Sequence, residues 1–364
     1  MIEIHSQVEP HLRPKRQSKI SNALAHAKPR VPRGITRRLF LDSLSSFAGL
    51  SIMACHVGCV RESRSDGAGG QSKFKVVATT GMIGDMLREL CGGSVEIVQL
   101  IQAGVDPHLY KPIRDDIVAI VQSDAVFHNG LHLEGRMGDV LTRSNGRRGL
   151  SNSSSSSSRQ TSFAMSDALS EDELLGEPGT DAHDPHIWMD VSLWARCVES
   201  ISQALMTLLP DLAGQIETRF EDLRERLAKL DQKAIEAVKT IPESQRVLIS
   251  SHDAFQYFGR RYGLRVEGVQ GISTASEAGL QRIPELIDTI VSRRIPAVFK
   301  ESSVGGKLID ALIAGARARG VELLIGSELY SDALGPAGSG AETYLGMMTH
   351  NFNSVITALG GEWK

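Results

Sequence analysis

A chain of 364 residues with 41% hydrophobic and 23% charged residues carries enough apolar material for two ordinary domains, which excludes a disordered or fibrous protein. Its net charge of -3 is unevenly spread, because residues 1–54 hold nine Lys/Arg against three acids and leave -9 for the remainder. An acidic body argues against nucleic acid as a partner, since phosphate binding needs clustered positive charge, and it suits a cationic ligand.

Residues 1–38 are basic and end on Arg37 and Arg38; a mostly apolar run follows over 43–54. This is the layout of a secretory signal, with the paired arginines of a twin-arginine leader. The apolar run is shorter than the roughly 20 residues that cross a bilayer. Ile52, Met53, Ala54 and Cys55 together resemble a bacterial lipobox, so residues 1–54 are predicted to be an export signal and Cys55 the lipid-attachment residue. Cys59 fits less well, because His56 stands where an aliphatic residue is expected. Cleavage without lipid, or an uncleaved anchor, would use the same segment. Residues 55–73 are polar and rich in Gly and Ser, as a flexible tether should be.

The folded body begins with a β-rich run at 74–80, followed by a helical pattern at 82–90 that places Ile83, Met86, Leu87 and Leu90 on one face. A strand is predicted at 95–101, a helix at 115–122, a strand at 125–128 and a helix at 133–141. Residues 145–180 break the alternation with a serine run at 153–158 and an acidic stretch near 171–177, and read as a disordered insertion. An amphipathic helix follows at 191–209.

The longest periodic segment, 212–240, repeats Ile216, Phe220, Leu223, Leu227, Leu230, Ala234 and Val238 at helical spacing. At 1.5 Å per residue it spans about 40 Å and reads as a spine, with a coiled-coil dimer helix as the alternative. Strands are then predicted at 246–250, 265–269, 297–300 and 322–325, with helices at 254–262, 281–293, 307–319 and 344–359. Strands alternating with helices imply parallel sheets. The predicted fold is therefore α/β, with two similar lobes (74–210 and 242–364), each around a mainly parallel sheet, joined by one long helix (211–241).

Ligands of open α/β sheets bind beyond the carboxyl ends of the strands. Four metal-ligand residue types fall there. His108 ends Asp106-Pro107-His108, His186 ends a second such tripeptide at Asp184-Pro185-His186, His252 follows the strand at 246–250, and Asp332 follows that at 322–325. Two come from each lobe, which predicts a metal site in the interlobe cleft. Asp106 and Asp184 suit either turn formation or fixing a histidine tautomer. Trp188 and Trp194 are candidates to wall off water. His128, His132, His183 and His350 compete as ligands, Glu134 is a candidate supporting group, and Glu134 and Glu301 are the possible general bases for a hydrolytic alternative. Cys91 and Cys197 are candidates for a disulfide.

The segments Asp106–Tyr110, Asn129–Glu134, Asp184–Trp188, Ser251–Phe258 and Ser331–Ala333, in this order, resemble the zinc/manganese solute-binding proteins of bacterial ABC transporters. The resemblance runs from Phe74 to the C-terminus. It implies two α/β lobes around a long helix, with His108, His186, His252 and Asp332 as ligands of one divalent cation. Mn²⁺ and Zn²⁺ are the implied cargo, with Fe²⁺ a third candidate. The His-rich loop of zinc-specific members is replaced here by the serine and acidic stretch, and the carboxylate common at the third ligand position of manganese-type members is His252. The implied protein is exported to the periplasm or cell surface, lipid-anchored and monomeric, is not an enzyme, and delivers metal to a membrane permease. A surface adhesion role and a metallohydrolase are the alternatives.

Overall fold

The computed structural model describes residues 73–138, 140–141, 161–176, 179–275 and 282–364. The export signal, Cys55 and the tether up to residue 72 lie outside the described residues, as does the serine run.

The first half opens with β1 (Lys75–Ala78), α1 (Gly81–Cys91), β2 (Glu96–Gln99), α2 (Arg114–Gln122), β3 (Ala125–His128) and β4 (Thr161–Ala164). The strands form one parallel sheet in the order β2-β1-β3-β4. Its centre is apolar on both faces, as helix-covered parallel sheets require. Val76, Ala78, Ala125 and Phe127 enter the main core, whereas Val77 and Val126 face a smaller cluster with Ile101, Ile120 and Met137.

Two helices follow. In α3 (Val191–Leu208) the Asp190 side chain caps the first turn by accepting from the backbone N–H groups of Ser192 and Leu193. The 26-residue α4 (Ala213–Val238) buries the predicted stripe from Ile216 to Val238 and ends shortly before Pro242. Its outer face carries i,i+4 pairs, Glu225 with Lys229 at 2.6 Å and Asp222 with Arg226 at 3.1 Å. Exposed pairs of this kind contribute only about 0.3–0.5 kcal/mol each, so burial of the stripe fixes the helix.

The second half contains β5 (Val247–Ser250), α5 (Gln256–Tyr262), β6 (Arg265–Gly268), α6 (Ile283–Arg293), β7 (Ala297–Val298), α7 (Lys307–Ala318), β8 (Leu324–Ile325) and α8 (Tyr344–Ala358). β5 pairs with β6 and β7 with β8, all parallel. The N–H of Phe299, just after β7, donates to the carbonyl of Ile249 at 2.9 Å and joins the two pairs. The resulting order, β6-β5-β7-β8, repeats that of the first sheet. One apolar core runs from Val76 to Leu359 through both halves and along α4.

Two expectations need correction. The acidic part of the supposed disordered insertion is ordered over residues 161–176. β4 adds to the sheet edge, Phe163 stacks on Phe127 at 4.9 Å, and Glu173 pairs with Arg196 on α3, so these residues have partners that composition does not reveal. Of the helix expected at 133–141, residues 133–137 are a run of turns, and the described residues 138 and 140–141 are helical. Gly130, Leu131 and His132, just before this run, all have positive φ (83°, 50° and 61°), and i→i+3 bonds, from the Leu133 N–H to the Gly130 carbonyl at 3.1 Å and from the Met137 N–H to the Glu134 carbonyl at 2.7 Å, stand where a helical ladder would be. Cys91 and Cys197 are both buried free thiols. No helix among the described residues is long and apolar enough to cross a membrane.

Candidate metal centre

The four residues singled out by their positions after strands converge. His108, His186, His252 and Asp332 each present one donor atom, and these atoms all lie within 4.8 Å of one another. The His186 Nε2 is 3.2 Å from His108 Nε2, 3.4 Å from His252 Nε2 and 3.3 Å from Asp332 Oδ1. The other carboxylate oxygen, Oδ2, is 3.4 Å from His252 Nε2. Four donors placed tetrahedrally about an ion at 2.0–2.1 Å would be roughly 3.3–3.4 Å apart, so the spacings around His186 Nε2 match those of a Zn²⁺-type site. Asp332 Oδ1 is buried and makes no hydrogen bond, as befits an atom kept for a ligand.

Each donor is held by the turn that carries it. Asp184 accepts both the backbone N–H and Nδ1–H of His186, at 2.9 and 2.7 Å. Glu301 does the same for His252 with its two oxygens, at 2.8 Å to the backbone N–H and 2.5 Å to Nδ1. A carboxylate at Nδ1 fixes the tautomer that leaves the Nε2 lone pair facing the cluster and makes it a stronger donor. Asp106 holds His108 through its backbone N–H only, at 2.8 Å. Gly268 ends β6 beneath the His252 turn, where a Cβ would lie 2.5 Å from the Asp253 nitrogen.

The turns are tied across the two halves. Trp188 Nε1–H donates to the Ser331 carbonyl at 2.8 Å, Tyr344 OH to the Trp188 carbonyl at 2.8 Å, and Tyr257 OH to the Asp184 carbonyl at 3.0 Å. Trp188 lies against His186, with ring centroids 5.3 Å apart, and shields it as expected. Trp194 does not: it packs on Tyr344.

His186, His252 and Asp332 are essentially inaccessible, whereas His108 is only half-buried. Burial, opposed by Asp332, pulls the His108 imidazole down to about 4. Burial also acts to lower His186, but Asp184 and Asp332 outweigh it and raise the group to about 9. For His252, Glu301 and Asp332 overcome burial and hold it well above the usual histidine range. Burial would raise Asp332, yet the imidazoles of His252 and His186 keep it well below the ordinary carboxylate range. The cluster is thus a mutually stabilised set of charges whose protons a metal ion would displace.

The competing residues have other partners or positions. His183 pairs with Glu171 at 3.0 Å, and His350 Nε2 lies 2.8 Å from the Glu328 carbonyl. His132 is exposed on the positive-φ turn and His128 ends β3; neither joins the cluster. Glu134 accepts from Thr79 Oγ1 at 2.6 Å and the Asn129 N–H at 2.7 Å. Asn129 in turn donates to the Pro185 carbonyl at 2.9 Å, so Glu134 steadies the His186 turn from behind. Ser303, whose hydroxyl lies 3.2 Å from Asp332 Oδ2, is not among the individual candidates the sequence offers.

A family model described as zinc-uptake complex component A periplasmic (ZnuA) matches residues 76–358. The chain is 39% identical over 295 residues to the zinc-binding protein TroA of Treponema pallidum (strain Nichols), covering 81% of this chain and 92% of that protein. It is 37% identical over 302 residues to the manganese-binding lipoprotein MntA of Bacillus subtilis (strain 168), covering 83% and 94% respectively. The solved structure of the periplasmic zinc-binding protein TroA from Treponema pallidum aligns with a TM-score of 0.73 and 38% identity, over 79% of this chain and 99% of that one.

Proposed function

Because this chain belongs to the family of periplasmic zinc-uptake components, we propose that it is the solute-binding component of an ABC importer, capturing one divalent transition-metal ion with His108, His186, His252 and Asp332. The convergence of three Nε2 atoms and one carboxylate, with spacings of 3.2–3.4 Å, carries this reading. Three imidazole nitrogens and an oxygen suit Zn²⁺, and a carboxylate using both oxygens would extend the set for Mn²⁺ or Fe²⁺. The affinity order of divalent ions places Zn²⁺ above Mn²⁺ on such donors, so use as a manganese carrier would depend on geometry and supply.

The relatives' names as lipoprotein and periplasmic binding protein support export, and a lipid at Cys55 would tether the body near a membrane permease. One chain supplies all four donors, which supports a monomer as the working unit. A hydrolytic role would need a free general base. Glu301 and Glu134, the candidates noted in the sequence, are both engaged as hydrogen-bond acceptors.

The test is elemental analysis of the full-length chain beside a His108→Ala/His252→Ala double variant, after exposure to Zn²⁺ or Mn²⁺ and desalting. A single equivalent of metal in the natural protein, lost in the variant, is expected. A natural protein that retains no metal would overturn the assignment.

A further inference from the structure

The two donors of the second half are set by one short segment. Beyond β7, the Leu329 N–H donates to the Lys300 carbonyl at 2.8 Å and the Ser302 N–H donates to the Leu329 carbonyl at 3.0 Å. This bridge between Glu301 and Leu329 brings the turn that carries Asp332 against residues 300–303. Two consequences follow. Glu301 reaches His252, and Ser303, two positions on, reaches Asp332: its Oγ donates to Oδ2 at 3.2 Å and lies 3.1 Å from Ser331 Oγ.

The two oxygens of Asp332 are therefore unequal. Oδ1 is buried, lacks a hydrogen bond and lies 3.3 Å from His186 Nε2. Oδ2 also faces the cluster, 3.4 Å from His252 Nε2, but shares its lone pairs with the Ser303 hydroxyl. An oxygen that accepts a hydrogen bond is a poorer metal donor than its free twin, because the proton and the ion draw on the same electron density. One free oxygen and three imidazoles make a four-donor set, which is what Zn²⁺ prefers. A second free oxygen would add the fifth donor that favours larger, oxygen-seeking ions such as Mn²⁺.

We propose that Ser303 is a specificity-determining residue: by occupying Asp332 Oδ2 it holds the carboxylate to one-oxygen coordination and tilts the site toward Zn²⁺ over Mn²⁺. This rests on the metal-capture reading above and adds to it a residue that touches no ion. It acts through Asp332, so its signature is a change in the ratio of two affinities, not a loss of binding.

The experiment is a competition titration of the full-length natural protein with Zn²⁺ and Mn²⁺, beside Ser303→Ala, Ser303→Gly and Ser303→Thr. Deleting the hydroxyl should shift the Zn²⁺/Mn²⁺ affinity ratio about tenfold toward Mn²⁺, the scale of one hydrogen bond to a charged acceptor. Ser303→Thr, which keeps the hydroxyl, should stay near the natural ratio. Two independent deletions guard against a folding defect in either one, and a half-buried position tolerates both. If both ions weaken equally in the deletions, Ser303 merely supports Asp332 and the inference is overturned while the metal site stands. If the natural protein binds neither ion, the metal-capture reading falls and takes this inference with it.

Discussion

Thr274 and Asp106, separated by 168 positions, meet across the site: Thr274 Oγ1 donates to Asp106 Oδ2 at 2.6 Å. The other oxygen of the same carboxylate accepts the backbone N–H of His108. His108, the one donor that keeps contact with solvent, is thereby held through Asp106 to the loop that follows β6. Thr274→Val keeps the side chain's shape and removes the bond. It should speed Zn²⁺ loss to excess chelator about tenfold, as loss of a bond to a charged acceptor does. Stopped-flow chelator competition checks this; an unchanged dissociation rate would mean that the His108 turn is held by other contacts.

Binding should weaken as pH falls. Asp184 and Asp332 raise His186 to about 9, and Glu301 and Asp332 raise His252 above the usual range, so both imidazoles bind protons more readily than a free histidine does. A metal ion needs both Nε2 atoms deprotonated, so below about pH 9 capture must expel protons. The sign is fixed: each expelled proton lowers the apparent affinity about tenfold per unit fall in pH. Titrations between pH 6 and 8, with proton release followed in weak buffer, test this. A flat affinity over that range would contradict it.

Glu301→Gln retains the size of the side chain but weakens the bond that polarises the His252 ring. Partners of this kind are worth about 10–100-fold in metal affinity, so a loss of that size is expected for both Zn²⁺ and Mn²⁺. The contrast with Ser303 is diagnostic, since Glu301 should move both ions together.

Asp231 on α4 gathers Arg261 and Tyr262 from the end of α5, with Tyr262 OH at 3.0 Å and Arg261 Nε at 3.1 Å. Asp231→Ala leaves the buried Tyr262 hydroxyl without this acceptor. A loss of about 2–3 kcal/mol in stability is expected, with metal stoichiometry unchanged. Denaturant unfolding and elemental analysis of the same samples separate the two effects.

The fold was legible where periodicity and burial coincide. The stripe from Ile216 to Val238 is the buried face of α4, and the strand expected at 125–128 is β3 as it stands. The alternation of strands and helices pointed to two parallel sheets, and the residues after the strand ends pointed to all four clustered donors. What stayed hidden depends on distant partners. Thr161–Ala164 is short, polar at two of four positions and beside the serine run, so its strand character comes from pairing with β3. Glu301 reaches a histidine 49 positions earlier, and nothing in its neighbours declares that. The turn at residues 130–132 takes its shape partly from Glu134, whose carboxylate is spent on Thr79 and Asn129.

Among the described residues, the 26-residue α4 shares one uninterrupted core with both halves, a packing that resists a swing of one against the other. On the metal-capture reading proposed above, a permease would then read the cargo at close range, from the posture of the few side chains around His108, and would inspect the mouth of the site.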